Sequence, residues 1–179
     1  MKQIVALFSG IILVLSVLFC TTGCTSNLFE DNNAIADATF REVLTAIRDG
    51  SEEKLKALFS PSVQNGERAF DDSVAALSEF IQGDIVSYSD ARERGVSATH
   101  TKTNGKANKE IESSFLLQTT VSTYHIAIVE CTIDENDSER VGILKLCIIR
   151  SDDWDHDYAY RGNSDVASGI VIEKGSQSE

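Results

Sequence analysis

Two acidic stretches are the first places where residue type and spacing suggest chemistry, and that chemistry would be calcium binding. Residues 153–157 read Asp-Trp-Asp-His-Asp, so carboxylates alternate as they do at the start of a calcium loop. Such a loop needs glycine at its sixth position and a bidentate glutamate at its twelfth, where this chain has Tyr158 and Ser164. Residues 134–139 lack these ligands too. We therefore expect two solvated acidic turns, with 134–139 capping a hairpin, and no metal site.

The histidines also lack the spacing of metal ligands, since none has a partner four residues away or a nearby cysteine. They are His100, His125 and His156. One hypothesis is that a concave sheet face presents Tyr124 or His125 with Tyr88 and Asp84, where a buried acid would act as a general base. The alternative is that these are ordinary strand residues.

Other catalytic and binding motifs are sparse. The chain has no nucleophile elbow, phosphate-binding loop or nucleophilic-cysteine motif. Trp154 with Tyr158 and Tyr160 forms either an aromatic binding patch or packing for a sheet edge. We assign no catalytic residue, no cofactor and no metal ligand from the sequence.

Cys24 is the residue whose surroundings indicate a definite role. Lys2 and a sixteen-residue apolar run over 4–19 precede it, a pattern typical of a secretory signal and marginal for a membrane-spanning helix, which needs about 20 residues. Residues 21–24, Thr-Thr-Gly-Cys, resemble the lipobox of bacterial lipoproteins, in which the cysteine is acylated and becomes the first residue. The alternatives are an uncleaved anchor helix or a plain secretory signal cut near Gly23.

These features predict how the chain is divided. Residues 1–23 would be a lipoprotein signal peptide, and 24–32 the lipidated cysteine with a polar tether. Residues 33–174 would form a single domain, followed by a disordered tail over 175–179. The tether would span about 26 Å when extended, which would keep the domain close to the membrane.

The charge of the chain excludes some partners. Removal of residues 1–23, which hold one lysine and no acid, changes the formal charge from −12 to −13. A surface this acidic repels nucleic acid and anionic headgroups. Two cysteines then remain besides Cys24, and the predicted hairpin places Cys131 nearer Ile143 or Leu144 than Cys147, so we expect two buried free thiols.

The pattern of apolar residues predicts helices first and strands afterwards. Helices are expected over 33–48, over a short stretch capped by Ser51 that ends before Pro61, and over 72–82 with Asp71 as the N-cap. Strands are expected over the following ranges: 85–88, 95–103, 111–119, 124–133, 141–150 and 169–172. Asn104-Gly105 is a hairpin turn, and the strand over 141–150 is apolar on both faces, as expected of a central strand.

This order is typical of an α+β fold with N-terminal helices packed on a curved antiparallel sheet. It resembles the nuclear-transport-factor-2-like, or cystatin-like, cone. Residues 52–63, 80–87 and 169–172 also resemble a family of small, mostly Gram-positive bacterial lipoproteins of unknown function. The resemblance covers roughly residues 30–172 and implies fold and location, but it transfers no site residue.

We therefore expect a membrane-anchored extracytoplasmic lipoprotein that binds a small molecule or a protein without catalysis. The alternative is a small isomerase- or hydrolase-like enzyme that uses the cavity of the same cone. Expected partners are the membrane, through acylated Cys24, an unknown ligand or protein, and a second copy through the sheet. Nucleic acid is not an expected partner.

Overall fold

The computed structural model describes residues 31–67, 69–156 and 169–173, with the side chains of 154–156 excepted. Contacts divide the chain into two units, 1–30 and 31–179, and the described residues all belong to the second. Cys24 and the predicted signal peptide lie outside the described residues.

Five α-helices are present in the described part of the chain. Their bounds are α1 Asn32–Arg48, α2 Glu52–Leu58, α3 Pro61–Gly66, α4 Phe70–Phe80 and α5 Ala91–Arg94. Asp31 and Ser51 cap α1 and α2 by accepting hydrogen bonds from backbone N–H groups, as the capping preferences of these residue types predict. In α1 the predicted apolar face is buried at Ala36, Phe40, Val43 and Leu44.

One helix was not predicted, and one predicted cap needs correction. α2 ends at Leu58, before Pro61 as predicted, but a further helix, α3, follows it: Ser60 caps α3, and Pro61 occupies its first turn, where a missing N–H costs nothing. Asp71 is not the N-cap of the next helix, because α4 begins at Phe70 after Ala69, which makes no side-chain cap. Phe70 lies in the first turn of α4, where its ring packs edge-on against Phe59 with ring centroids 5.3 Å apart, and this contact stabilises the earlier start of the helix.

Six antiparallel strands form one curved, open sheet, which confirms the predicted α+β class. The strands are β1 Ile85–Tyr88, β2 Val96–Thr103, β3 Lys106–Thr119, β4 Thr123–Asp134, β5 Gly142–Arg150 and β6 Gly169–Glu173. One edge of β3 pairs with β4, and its other edge pairs with both β1 and β2. β5 pairs with the far edge of β4, and β6 pairs with the far edge of β5. Register shifts in three of the strand pairs bend the sheet.

The strand predictions are confirmed in number, and β3 begins earlier than expected. The Asn104-Gly105 turn has φ of 52° and 84°, the left-handed pair of a type I′ hairpin, and it lets pairing start immediately at Lys106. As predicted, β5 is an interior strand with buried residues on both faces. Ile143 and Leu146 join the main core, whereas Cys147 and Ile149 pack with Ala127 and Val171.

The main core fills the space between the helices and the sheet. Phe40 of α1 stacks on Phe115 of β3 with centroids 3.9 Å apart and planes 9° apart, and Tyr88 meets Phe40 edge-on. Tyr124 is fully buried nearby and packs against Phe80. The helix-facing side of the sheet is therefore occupied by large aromatic side chains.

Candidate functional site

The structure does not assemble the constellation proposed from Tyr124, His125, Tyr88 and Asp84. The hydroxyl of Tyr124 accepts a hydrogen bond from the Gln82 N–H (3.0 Å) and donates one to the Phe80 carbonyl (3.2 Å), which ties the end of α4 to the sheet. Asp84 is exposed and Tyr88 is 44% exposed, whereas Tyr124 is buried. His125 lies on the opposite sheet face from Tyr124. Tyr124 is thus a structural residue, and the proposed general-base pocket is wrong.

The acidic stretch over 134–139 caps a hairpin, as predicted. Asp134 accepts hydrogen bonds from the N–H groups of Asn136 and Asp137, and the Arg140 guanidinium bridges Asp134 and Glu110. Ser151–His156 forms a 3-10 helix after β5, and Asp157, Tyr158 and Tyr160 lie outside the described residues. Among the residues that are described, no group of three metal-ligating side chains converges.

A buried carboxylate that the sequence analysis did not single out is the clearest polar site under the helices. Glu130 of β4 is only 6% exposed. One of its oxygens accepts a 2.7 Å hydrogen bond from the Thr39 hydroxyl of α1, and the other, Oε1, makes no hydrogen bond within the described structure. A buried carboxylate with an unsatisfied oxygen lowers the stability of the fold, so its presence at this position needs a physical reason.

The residues around Glu130 form a polar cluster, defined by Thr39, Lys109, Ser113 and Glu130. Lys109 and Ser113 are 5% and 2% exposed, and the Ser113 hydroxyl also makes no hydrogen bond within the described structure. Ser113 lies diagonally across the β3–β4 pair from Glu130, at a typical Cβ separation of about 7–8 Å. The cluster therefore holds two unsatisfied oxygens on one sheet face.

The protonation of Glu130 is set mainly by its burial. Desolvation raises the pKa of the Glu130 carboxyl above its ordinary value, while the Thr39 hydrogen bond and the Lys109 ammonium lower it and the Glu42 carboxylate raises it. Burial dominates, so Glu130 takes up a proton more readily than an exposed glutamate. This is the property of a general acid, but a substrate would also have to reach the side chain.

A groove between α1 and α2 is an open space in the described structure that could admit a ligand. Its volume is about 380 Å³, within the range of small-molecule sites. Its surface is predominantly apolar, although three of the residues that line it are charged. The lining residues are Arg41, Glu42, Thr45, Ala46, Lys54, Ala57 and Leu58.

The α2 wall of the groove is held by the sheet. After α2, the Ser60 N–H donates to the Ile143 carbonyl (3.0 Å), and Phe59 bridges Ile143 at the start of β5. Gly142 allows this approach, because a Cβ there would lie 2.9 Å from the Ser60 nitrogen and 3.1 Å from the Leu58 carbonyl oxygen. The groove is therefore built on a fixed frame, and Lys54, one of its lining residues, forms a salt bridge with Asp49 at 3.1 Å.

The two cysteines expected to be free thiols are free and buried. Cys131 lies opposite Gly142, and Cys147 lies opposite Ala127, which confirms the predicted offset. Burial raises the pKa of the Cys147 thiol to about 12 and also raises that of Cys131. Neither thiol is a nucleophile at neutral pH.

Comparison with known proteins identifies the family but no relative of known activity. No curated protein matches the chain. In the described residues, no helix is both long enough and apolar enough to cross a membrane. Residues 42–151 match a family described as a domain of unknown function, DUF5104. The match covers more than half of the chain. It includes α1 from Glu42, the sheet as far as β5 and the polar cluster apart from Thr39. The chain belongs to the DUF5104 family.

Proposed function

We propose that this protein is a lipid-anchored extracytoplasmic lipoprotein whose domain binds a small amphipathic molecule in the groove between α1 and α2. The groove is the single observation that carries the binding role: it is open and mostly apolar, and its lining includes the charged residues Arg41, Glu42 and Lys54. Such a site fits a ligand with a hydrocarbon body and a charged or polar end. Acylation at Cys24 would hold the domain at the outer face of the cell membrane, and the lipobox-like residues 21–24 support that location.

The proposed fold assignment is a nuclear-transport-factor-2-like cone, supported by the helices on one face of a curved antiparallel sheet. A cone with an open interior would favour an enzyme. In this domain, however, Phe40, Phe115 and Tyr124 occupy the helix-facing side of the sheet. The ligand is therefore expected at the helix–helix groove, and the leading function is binding without catalysis.

A ligand screen with a groove-filling variant tests the binding role. A ligand at 100 times its dissociation constant stabilises the native state by about 2.7 kcal/mol, or roughly 5–11 °C in melting temperature for a domain of this size. Ala57 lines the groove and is exposed, so Ala57→Trp should fill the groove without disturbing the core. Amphipathic compounds that stabilise the wild type should fail to stabilise Ala57→Trp.

The matched control is Ala38→Trp, an exposed position on α1 outside the groove. This variant should keep the full ligand-induced shift. A ligand that stabilises Ala57→Trp as strongly as the wild type would place binding elsewhere and refute the groove. The anchor is tested separately by Cys24→Ala, which should move the protein from the detergent phase to the aqueous phase.

A small enzyme is the second candidate, and the observation in its favour is Glu130, a buried carboxyl whose pKa is raised. Glu42 lines the groove and acts electrostatically on Glu130, so the two sites are neighbours. A catalytic Glu130 requires that a ligand of the groove be converted to product and that Glu130→Gln abolish the conversion. Binding that is unchanged in Glu130→Gln, with no product formed by the wild type, supports the binding module.

A further inference from the structure

Strand β2 is an open edge of the sheet. It pairs with β3 over all eight residues, from Val96 opposite Ser113 to Thr103 opposite Lys106, with no register shift. Within the described ranges, no strand pairs with its other edge. Residues 97–103 are exposed on both sheet faces, so the described helices and loops leave these residues accessible.

The hairpin turn shows which backbone groups face outward. Thr103 and Lys106 close a two-residue turn, and such a closing pair exchanges both of its backbone hydrogen bonds. Hydrogen-bonded pairs alternate along an antiparallel ladder, so Thr101, Thr99 and Ser97 also bond to β3. The N–H and C=O groups of Ala98, His100 and Lys102 consequently point away from the sheet.

This edge lacks most of the features that prevent an edge strand from pairing with a strand of another chain. Natural edge strands are usually very short, bulged, interrupted by proline or heavily charged. β1 is short and carries a register shift, as this rule expects. By contrast, β2 has eight regular residues, no proline and one charged side chain, Lys102.

We propose that β2 binds β2 of a second copy of this chain, joining the two sheets across a two-fold axis. A two-fold axis normal to the sheet keeps each residue on its own face, and directly opposed residues share a face. Residues that pair must therefore both have even numbers or both have odd numbers, so the axis passes beside a single residue. The two residues at the middle of β2 are Thr99 and His100, and the axis is centred at one of them. Lys102 then lies opposite Val96 or Ala98 of the second copy, so no like charges oppose each other.

The acidic character of the chain does not prevent this contact. The carboxylates directly beside β2 on β3 are Glu110 and Glu112, opposite Thr99 and Ser97. The two copies of β3 would be three strand spacings apart, about 14 Å. That exceeds the Debye length of about 8 Å at physiological ionic strength, so their repulsion is screened.

A second copy meets the pairing requirements of this edge with its own β2 sequence. Thr99, Thr101 and Thr103 form one face of β2, and threonine pairs are favourable neighbours across strands. The proposal does not depend on the ligand groove. If Cys24 anchors both copies in one membrane, as proposed above, their high local concentration adds to the association.

The test is the protein mass of the full-length chain in detergent, measured by light scattering with the detergent contribution subtracted. The wild type should have the mass of two chains. Ala98→Pro removes an N–H that faces outward and leaves the β3 ladder intact, so this variant should have the mass of one chain. Ala98→Val keeps the N–H and should remain a dimer.

A wild type with the mass of one chain at every concentration would overturn the proposal, as would a dimer that persists in Ala98→Pro. Trapping with an introduced cysteine gives an independent measure if Ala98→Pro fails to fold, because the native Cys131 and Cys147 are buried. A Thr99→Cys or His100→Cys variant should form a disulfide-linked dimer under mild oxidation, whereas Val86→Cys, on exposed β1, should not. Ligand stabilisation should be unaffected by Ala98→Pro, so failure of the dimer and failure of the groove are separable.

Discussion

Replacing Thr39 by valine tests whether its hydrogen bond to Glu130 stabilises the fold. The substitution exchanges a hydroxyl for a methyl group and leaves the side-chain shape nearly unchanged. It removes the single hydrogen bond that the structure gives the Glu130 carboxylate, so both oxygens would be buried without a partner. A hydrogen bond to a charged group contributes about 1.5–3 kcal/mol, and that is the expected loss in free energy of unfolding at pH 8.

In a domain of this size that loss lowers the melting temperature by about 3–12 °C, measured by circular dichroism. Thr45→Val is the matched control, because Thr45 is an exposed threonine of the same helix. It carries the same helix-propensity cost, so the difference between the two variants isolates the hydrogen bond. A Thr39→Val loss equal to that of Thr45→Val would refute a stabilising role for this bond.

The pH dependence of the loss gives a second, sharper signature. The Thr39 hydroxyl lowers the pKa of Glu130 by favouring the carboxylate, so its removal raises that pKa further. A raised folded-state pKa means that the folded protein binds the proton more tightly than the unfolded chain. The contribution of Glu130 to stability therefore falls as pH rises from the unfolded value near 4.5 through the folded value. The Thr39→Val loss should be larger at pH 8 than at pH 4, and a loss independent of pH would contradict the assigned partner.

Three further predictions concern other parts of the domain. Glu130→Gln should remove the loss of stability that ionisation of Glu130 causes between pH 4 and pH 8, so its free energy of unfolding, measured by urea unfolding, should change less unfavourably over this range than that of the wild type; an identical pH dependence would show that another group titrates there. Gly142→Ala should lower stability by more than about 1 kcal/mol, because φ is 123° and the added methyl would meet the backbone at Ser60; a melting temperature equal to that of the wild type would contradict this packing. Cys131 and Cys147 should resist a disulfide-exchange reagent at pH 8 in the folded protein and react rapidly in guanidinium, whereas fast reaction of the folded protein would contradict their burial.

Elements fixed by local sequence could be predicted, whereas those fixed by tertiary packing could not. The α1 face and the Asn104-Gly105 turn follow from side-chain spacing and from the left-handed φ values that these turn residues accept. The start of α4 at Phe70 depends on a ring contact with Phe59, which lies in another element. The groove depends on how α1 and α2 diverge, and no pattern within either helix encodes that angle.

Glu130 had a signal in the sequence that was overlooked. In β4 the even positions Tyr124, Ile126 and Ile128 face the helices, and Glu130 continues that series. A charged residue at an inward position of an otherwise apolar alternation indicates either a strand end or a buried polar site. Its partner Thr39 could not be named in advance, because 91 residues separate the two and only the packing of α1 on the sheet joins them.

The way the core is filled explains why binding surfaces are expected at the edges of this domain. Opening a cavity among Phe40, Phe115 and Tyr124 would cost about 24 cal/mol per Å³, or roughly 9 kcal/mol for a space as large as the groove, which is comparable with the whole stability of a typical domain. A groove between two helices and an open strand edge carry no such cost, because they leave the core intact. The polar cluster is the exception inside, and its cost is limited by a protonatable carboxylate that can become neutral. The proposed ligand binding at the helix groove and the proposed self-association at β2 would therefore change independently of the fold that supports them both.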